Sequence, residues 1–101
     1  MATLHTVNQS PYGRTALARC LNYIQPGAGL LLMEDGVLAA LTGGAWADRL
    51  GGVDGVEIFA LGPDLAARGI AIGAVAPNIR IVDYAGFVKL AVEYDRVQSW
   101  L

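Results

Sequence analysis

Gly29-Leu30-Leu31-Leu32-Met33 runs straight into Glu34-Asp35-Gly36, and this junction decides the fold. The apolar run is too short for a buried helix, and it lacks the alternation of a half-exposed strand. It reads as a strand covered on both faces, as central strands of parallel sheets are. Further along, Val56-Glu57-Ile58-Phe59-Ala60-Leu61 has the same character. Shorter apolar runs at 3–7 and 79–82 supply a first and a fourth strand. Between these runs lie helical stretches with recognisable ends. Ser10-Pro11 leads into a helix over 14–24 that Pro26-Gly27 stops. Asp35 is placed to N-cap a helix over 37–41, which Gly43-Gly44 ends. Pro63 suits the first turn of a short helix closed by Gly69. The last helix covers 84–94, with Lys89 and Glu93 spaced to pair on one turn. Segment 43–55, with five glycines, reads as a loop or a loosely held helix, and 95–101 as a tail.

Strand followed by helix, four times over, implies a parallel sheet with right-handed crossovers. The expected class is α/β: a small Rossmann-like or flavodoxin-like three-layer fold with a mainly parallel sheet of four to five strands. The 101 residues allow one domain, 1–101.

Composition narrows the function. Hydrophobic residues make up 54% and charged residues 16%, which leaves little polar surface to cover the outside. The 37–41 segment has no polar side chain, and the last helix spreads Tyr84, Phe87, Val88, Leu90, Val92 and Tyr94 around most of its circumference. Either a tight core takes them in, or they face another protein. The second reading is favoured, because so short a chain buries a limited share of its surface. Charging Phe87 or Leu38 would then disrupt assembly. The net charge of −2 and seven scattered cations give no basic patch for nucleic acid. No basic amino-terminal patch precedes an apolar run, and no apolar run approaches the ~18 residues of a membrane span. A cytoplasmic protein is expected.

Ligands of parallel α/β sheets bind at the carboxyl ends of the strands. Asn8, Gln9, Ser10, Glu34, Asp35, Gly62, Asp64 and Asp83 fall there. Four carboxylates and no lysine would repel a phosphate, and no glycine-rich phosphate loop is present. No cofactor is expected, flavin and nucleotide included. The carboxylates are more simply helix caps and strand ends than a magnesium site. The single histidine, His5, lies within the first strand and reads as a half-buried structural residue. One Cys and one His make no zinc site, so no metal is expected. The lone Cys20 is the remaining nucleophile. It shares a helix face with Ala16, Leu17, Leu21 and Ile24, the stripe that faces a core. Periodicity alone makes it a small buried hydrophobe.

Leu4-His5-Thr6-Val7-Asn8-Gln9-Ser10-Pro11 resembles the opening of DsrH/TusB family proteins, and Glu34-Asp35-Gly36-Val37 with Ala39-Ala40 resembles their "EDGV.AA" core. Asp64-Leu65 with Ala67-Arg68-Gly69, Asp83-Tyr84 with Phe87-Val88, and the tryptophan-bearing end Val97-Gln98-Ser99-Trp100-Leu101 are similar to further family segments in the same order. The 43–55 segment is poorly matched. The resemblance implies a subunit of a sulfur-relay heterohexamer with DsrE/TusD-like and DsrF/TusC-like partners, two copies of each. It passes persulfide sulfur to a DsrC/TusE-like acceptor. The pathway would be dissimilatory sulfur oxidation for the DsrH branch, and 2-thiolation of the tRNA wobble uridine for the TusB branch. Cys20 stands where DsrH-type members carry a cysteine; with Gly62-Pro63-Asp64 and Asp83-Tyr84-Ala85-Gly86 this favours that branch and makes Cys20 the candidate catalytic residue. The resemblance also implies that the main sulfur carrier is a cysteine of the DsrE/TusD-like partner. Cys20 would then be an auxiliary acceptor or a structural thiol, and this chain a sulfurtransferase subunit or a non-catalytic scaffold.

Overall fold

A computed structural model describes residues 2–101. Five strands, β1 (Thr3–Val7), β2 (Gly29–Leu32), β3 (Glu57–Leu61), β4 (Ile79–Val82) and β5 (Arg96–Trp100), form one sheet in the order β4-β3-β2-β1-β5. Every neighbouring pair is parallel. Helices α1 (Ala16–Tyr23), α2 (Ala45–Gly51), α3 (Gly62–Ala67) and α4 (Tyr84–Glu93) connect them, with 3-10 segments at Glu34–Ala40 and Ile72–Ala74.

The strand order and the hand of the crossovers together fix where each helix lies. From β1 to β4 the chain steps in one direction, so right-handed connections place α1, α2 and α3 on the same face. The step from β4 to β5 runs back across the whole sheet, which puts α4 alone on the other. Burial follows this division. Val7, Leu30, Leu32, Ile58, Ala60 and Ile79 pack against Ala16, Leu17, Cys20, Ala47, Leu50 and Leu65 on the crowded face. Leu4, Leu31 and Phe59 meet Phe87, Leu90 and Tyr94 of α4 on the sparse one. β2 is buried at all four positions, as its unbroken apolar run requires.

Three segments differ from expectation. The 43–55 stretch contains α2, which buries Ala47 and Leu50 and lays the Arg49 guanidinium 4.8 Å from the Trp46 ring centre one turn back. The 95–101 tail contains β5, an edge strand paired with β1 throughout. The 37–41 helix is a 3-10 segment starting at Glu34, and Asp35 makes no capping bond. Its last groups are taken by tertiary bonds, Ala76 N–H to Ala40 O at 2.8 Å and Thr42 N–H to Ala74 O at 2.8 Å, so no α-helical ladder continues.

The surplus apolar surface resolves differently in the two segments. Val37, Ala39 and Ala40 are fully covered by the chain itself, whereas Leu38 is half-buried. In α4, Phe87 and Leu90 turn inward, whereas Tyr84, Val88 and Val92 are 57%, 63% and 80% exposed. Their spacing of four puts them on one outward stripe. The outward-facing residue is thus Val88, with its neighbours a turn away, and not Phe87.

Candidate functional site

Two sequence segments far apart in the chain lock together at the carboxyl end of the sheet. The amide of Glu34 donates to Asp64 Oδ2 at 2.6 Å, and Arg68 reaches Asp35 Oδ1 through Nε at 3.0 Å and Nη2 at 2.8 Å. Glu34 holds a left-handed backbone with φ of 49°. That is an uncommon and mildly costly state for a residue with a side chain. Asp64 supplies the bond that holds it there. Gly36 follows, pressed so closely on the carbonyl oxygen of Val7 that a Cβ has no room. Beside it, the buried Oδ1 of Asn8 has no hydrogen-bond partner among the described residues.

Beyond β3 the chain turns to the crowded face and beyond β4 to the sparse one, so a crevice opens between their carboxyl ends, the usual ligand position in such sheets. It measures about 480 Å³ and includes Gly62, Arg80, Asp83 and Gly86. Asp83 Oδ1 accepts the Gly86 N–H at 2.7 Å, capping α4. A phosphate entering there would meet a carboxylate that already engages the helix end. Three of the four rim carboxylates thus have a local job: Asp35 pairs with Arg68, Asp64 holds the Glu34 backbone, and Asp83 caps α4. Glu34 is exposed. No group of three or more His, Cys, Asp or Glu side chains able to hold a metal occurs among the described residues.

Cys20 lies away from this rim, on the inner face of α1. It is 0% exposed, among Ala16, Leu17 and the partly buried Leu21 and Ile24. Burial pushes its thiol up to about 12. At neutral pH the reactive thiolate would then be a very small minority. Arg19 gives it no help. That side chain turns outward, its guanidinium 5.9 Å from the Trp100 ring centre and its Nη2 donating to the Leu101 carbonyl at 2.9 Å.

His5 is 2% exposed, more deeply buried than its position suggested. Trp100 Nε1–H donates to its Nδ1 at 3.0 Å, and Tyr23 approaches edge-on with ring centres 6.0 Å apart. Accepting at Nδ1 requires a neutral ring with its proton on Nε2. Burial holds the His5 pKa below its ordinary 6.5. Sequence reasoning missed this contact because its partners are 95 residues apart. Its consequence is pH-dependent stability. The unfolded chain binds the proton more readily than the folded one. The His5 contribution is therefore complete above pH about 6.5 and shrinks as pH falls through the lower folded value. Urea denaturation between pH 7.5 and 5 should show this decline, and His5→Gln should flatten the His-dependent part of it.

Comparison with known proteins agrees with the architecture. A family model described as "DsrH like protein" matches residues 9–97. The chain is 38% identical to Protein TusB of Enterobacter sp. (strain 638), over 96% of this chain and 99% of that one. It is 36% identical to Protein TusB of Escherichia coli K12 with the same coverage. Among solved structures, the ychN protein from E. coli superposes with a TM-score of 0.80 at 20% identity, covering 99% of this chain and 100% of that one. MTH1491 from Methanobacterium thermoautotrophicum, a protein of unknown function, gives 0.72 at 12% identity, covering 97% and 96%. These two likenesses speak for the fold alone. The match along nearly all of the sequence shows that the chain belongs to the DsrH-like family.

Proposed function

We propose that the chain is a subunit of a cytoplasmic sulfur-relay complex with DsrE/TusD-like and DsrF/TusC-like partners, acting in dissimilatory sulfur oxidation. Membership of the DsrH-like family is the observation that carries this reading. The outward stripe of Tyr84, Val88 and Val92 supports the assembly part, since an apolar strip of this kind is what a partner subunit covers. No helix among the described residues is long and apolar enough to cross a membrane. The branch assignment rests on Cys20, which stands where DsrH-type members carry a cysteine, together with the Gly62-Pro63-Asp64 and Asp83-Tyr84-Ala85-Gly86 segments. The similarity to proteins named TusB favours a second reading, 2-thiolation of the tRNA wobble uridine. Deleting the gene separates the two. Loss of sulfur oxidation with unchanged wobble 2-thiouridine supports the first, and loss of 2-thiouridine the second. If both are intact, the sulfur-relay reading fails.

A sulfur relay needs a thiolate that attacks a persulfide sulfur and is later attacked itself. With its thiol sealed and raised to about 12, Cys20 meets that need only if α1 opens. In this reading the main carrier is the cysteine of the DsrE/TusD-like partner, and Cys20 packs the core. Incubating the folded chain with a persulfide donor, then measuring its intact mass, should show no added sulfur, alone or in the complex. Cys20→Ser should leave transfer intact while costing about 1–3 kcal/mol of stability, for a hydroxyl placed in an apolar site. An added sulfur atom on Cys20 would instead make it an acceptor.

A further inference from the structure

The carboxy-terminal strand β5 is held unlike the other four. It is the outermost strand on its side of the sheet, and β1 is its one strand partner. None of its residues is buried. Asp95 ties its start to Ala2, with N–H to O at 2.9 Å and Oδ2 accepting the Ala2 N–H at 2.7 Å. Arg19 holds the Leu101 carbonyl at the far end. Between them, Trp100 is the large side chain that β5 packs against the crowded-face core. Elements with so little burial open at a lower free energy than central strands do.

Trp100 is fastened by one hydrogen bond, Nε1–H to Nδ1 of His5 at 3.0 Å. An indole nitrogen only donates, so the bond lasts only while Nδ1 keeps its lone pair. An imidazolium carries hydrogen on both nitrogens, which sets two N–H groups against each other. The surroundings do nothing to shelter that charge. α1 contributes Tyr23, edge-on to the ring, and Arg19, which lies over Trp100. β5 contributes Gln98, the register partner of His5, and Arg96, which lines the same cavity; β2 contributes the apolar Leu30. Two of these groups are cations and none is a carboxylate.

We propose that protonation of His5 unlatches Trp100 and frees β5 from β1 while β1 to β4 stay folded. Release uncovers the outer edge of β1, a row of unpaired backbone donors and acceptors. The event is local, unlike the general loss of stability described above. Burial holds the His5 pKa below its ordinary 6.5, whereas in the open state the ring meets water. The open state therefore binds the proton more readily, so opening grows as pH falls below about 6.5 and levels off below the folded value. Between pH 7.5 and 5, linkage limits the rise to about 30-fold.

Native-state hydrogen exchange on the full chain, followed by nitrogen-15 NMR and corrected for the intrinsic pH dependence of exchange, tests this. Protection over 96–100 should fall several-fold between pH 7.5 and 5, with protection over 57–61 of β3 unchanged. The Trp100 indole signal should move with the same midpoint, and that of Trp46, which stacks on Arg49, should stay. His5→Gln should abolish the pH dependence over 96–100. Equal losses in β5 and β3, pH-independent protection of β5, or an undiminished dependence in His5→Gln would overturn the latch. The β5-against-β3 comparison in the unaltered chain decides it even if the variant folds poorly.

Discussion

Gly36→Ala should lower the free energy of unfolding by about 3 kcal/mol or more, the upper range for an atom forced into a packed site. The added methyl would be driven into the Val7 carbonyl oxygen, which belongs to the backbone of a central strand and has nowhere to go. That same oxygen accepts the Met33 N–H at 3.0 Å, and Gly36 N–H in turn reaches the Met33 carbonyl at 2.9 Å. Relief therefore means lifting the 3-10 segment off the sheet, which pulls on Glu34–Asp64 and Asp35–Arg68 as well. The entropy gained by removing a glycine from the unfolded chain is about 0.4–1 kcal/mol, too little to compensate. Urea denaturation should show a lower midpoint with an unchanged slope. Gly73→Ala is the control, because its Cβ meets nothing within 4 Å and no positive φ is involved. Equal stability of the two variants would remove Gly36 from the architecture of the rim.

Val88→Asp should do the reverse, sparing the fold and breaking the assembly. At 63% exposure the side chain contributes little to the isolated chain, and surface changes of this kind usually stay within about 0.5 kcal/mol. Against a partner subunit, the same carboxylate would be buried without a counter-charge. A loss of about 2 kcal/mol or more, at least about a 30-fold weaker association, is the expected penalty. Co-purification with the DsrE/TusD-like and DsrF/TusC-like partners should fail for Val88→Asp and persist for Lys89→Ala. A Val88→Asp chain that assembles as well as the parent would move the interface elsewhere.

Much of this was legible in the residues, and the exceptions have physical reasons. β2 announces itself because burial on both faces leaves no polar interruption, as Leu30-Leu31-Leu32 shows, and β1, β3 and β4 were legible as short, mainly apolar runs despite His5, Glu57 and Arg80. The Cys20 face was legible too, since 3.6-residue periodicity groups it with Ala16 and Leu17. β5 was not: as an edge strand it carries Arg96, Gln98 and Ser99, and its strand character comes from pairing with β1. α2 was obscured by the glycines on either side of it, although Ala45 to Leu50 are acceptable helix formers. The 3-10 segment defeated propensity because tertiary bonds claim its end. The caps at the rim could be guessed from residue type, as Asp83 was. The pairings Glu34–Asp64 and Asp35–Arg68 span 30 and 33 residues, and no local pattern encodes them. The outward stripe of α4 lay within a helix known to be too apolar, but which side faced out depended on the crossover that puts α4 alone on its face.

That lone helix is the centre of the account: in the proposed complex its outer stripe lies against other subunits. Hydrogen exchange over 84–94 measures this directly, comparing the isolated chain with the chain co-expressed with its DsrE/TusD-like and DsrF/TusC-like partners. Marked slowing of exchange in this segment within a stable hetero-oligomer is the predicted result. A chain that stays separate from those partners, or an assembly in which 84–94 exchanges as fast as in isolation, would contradict it.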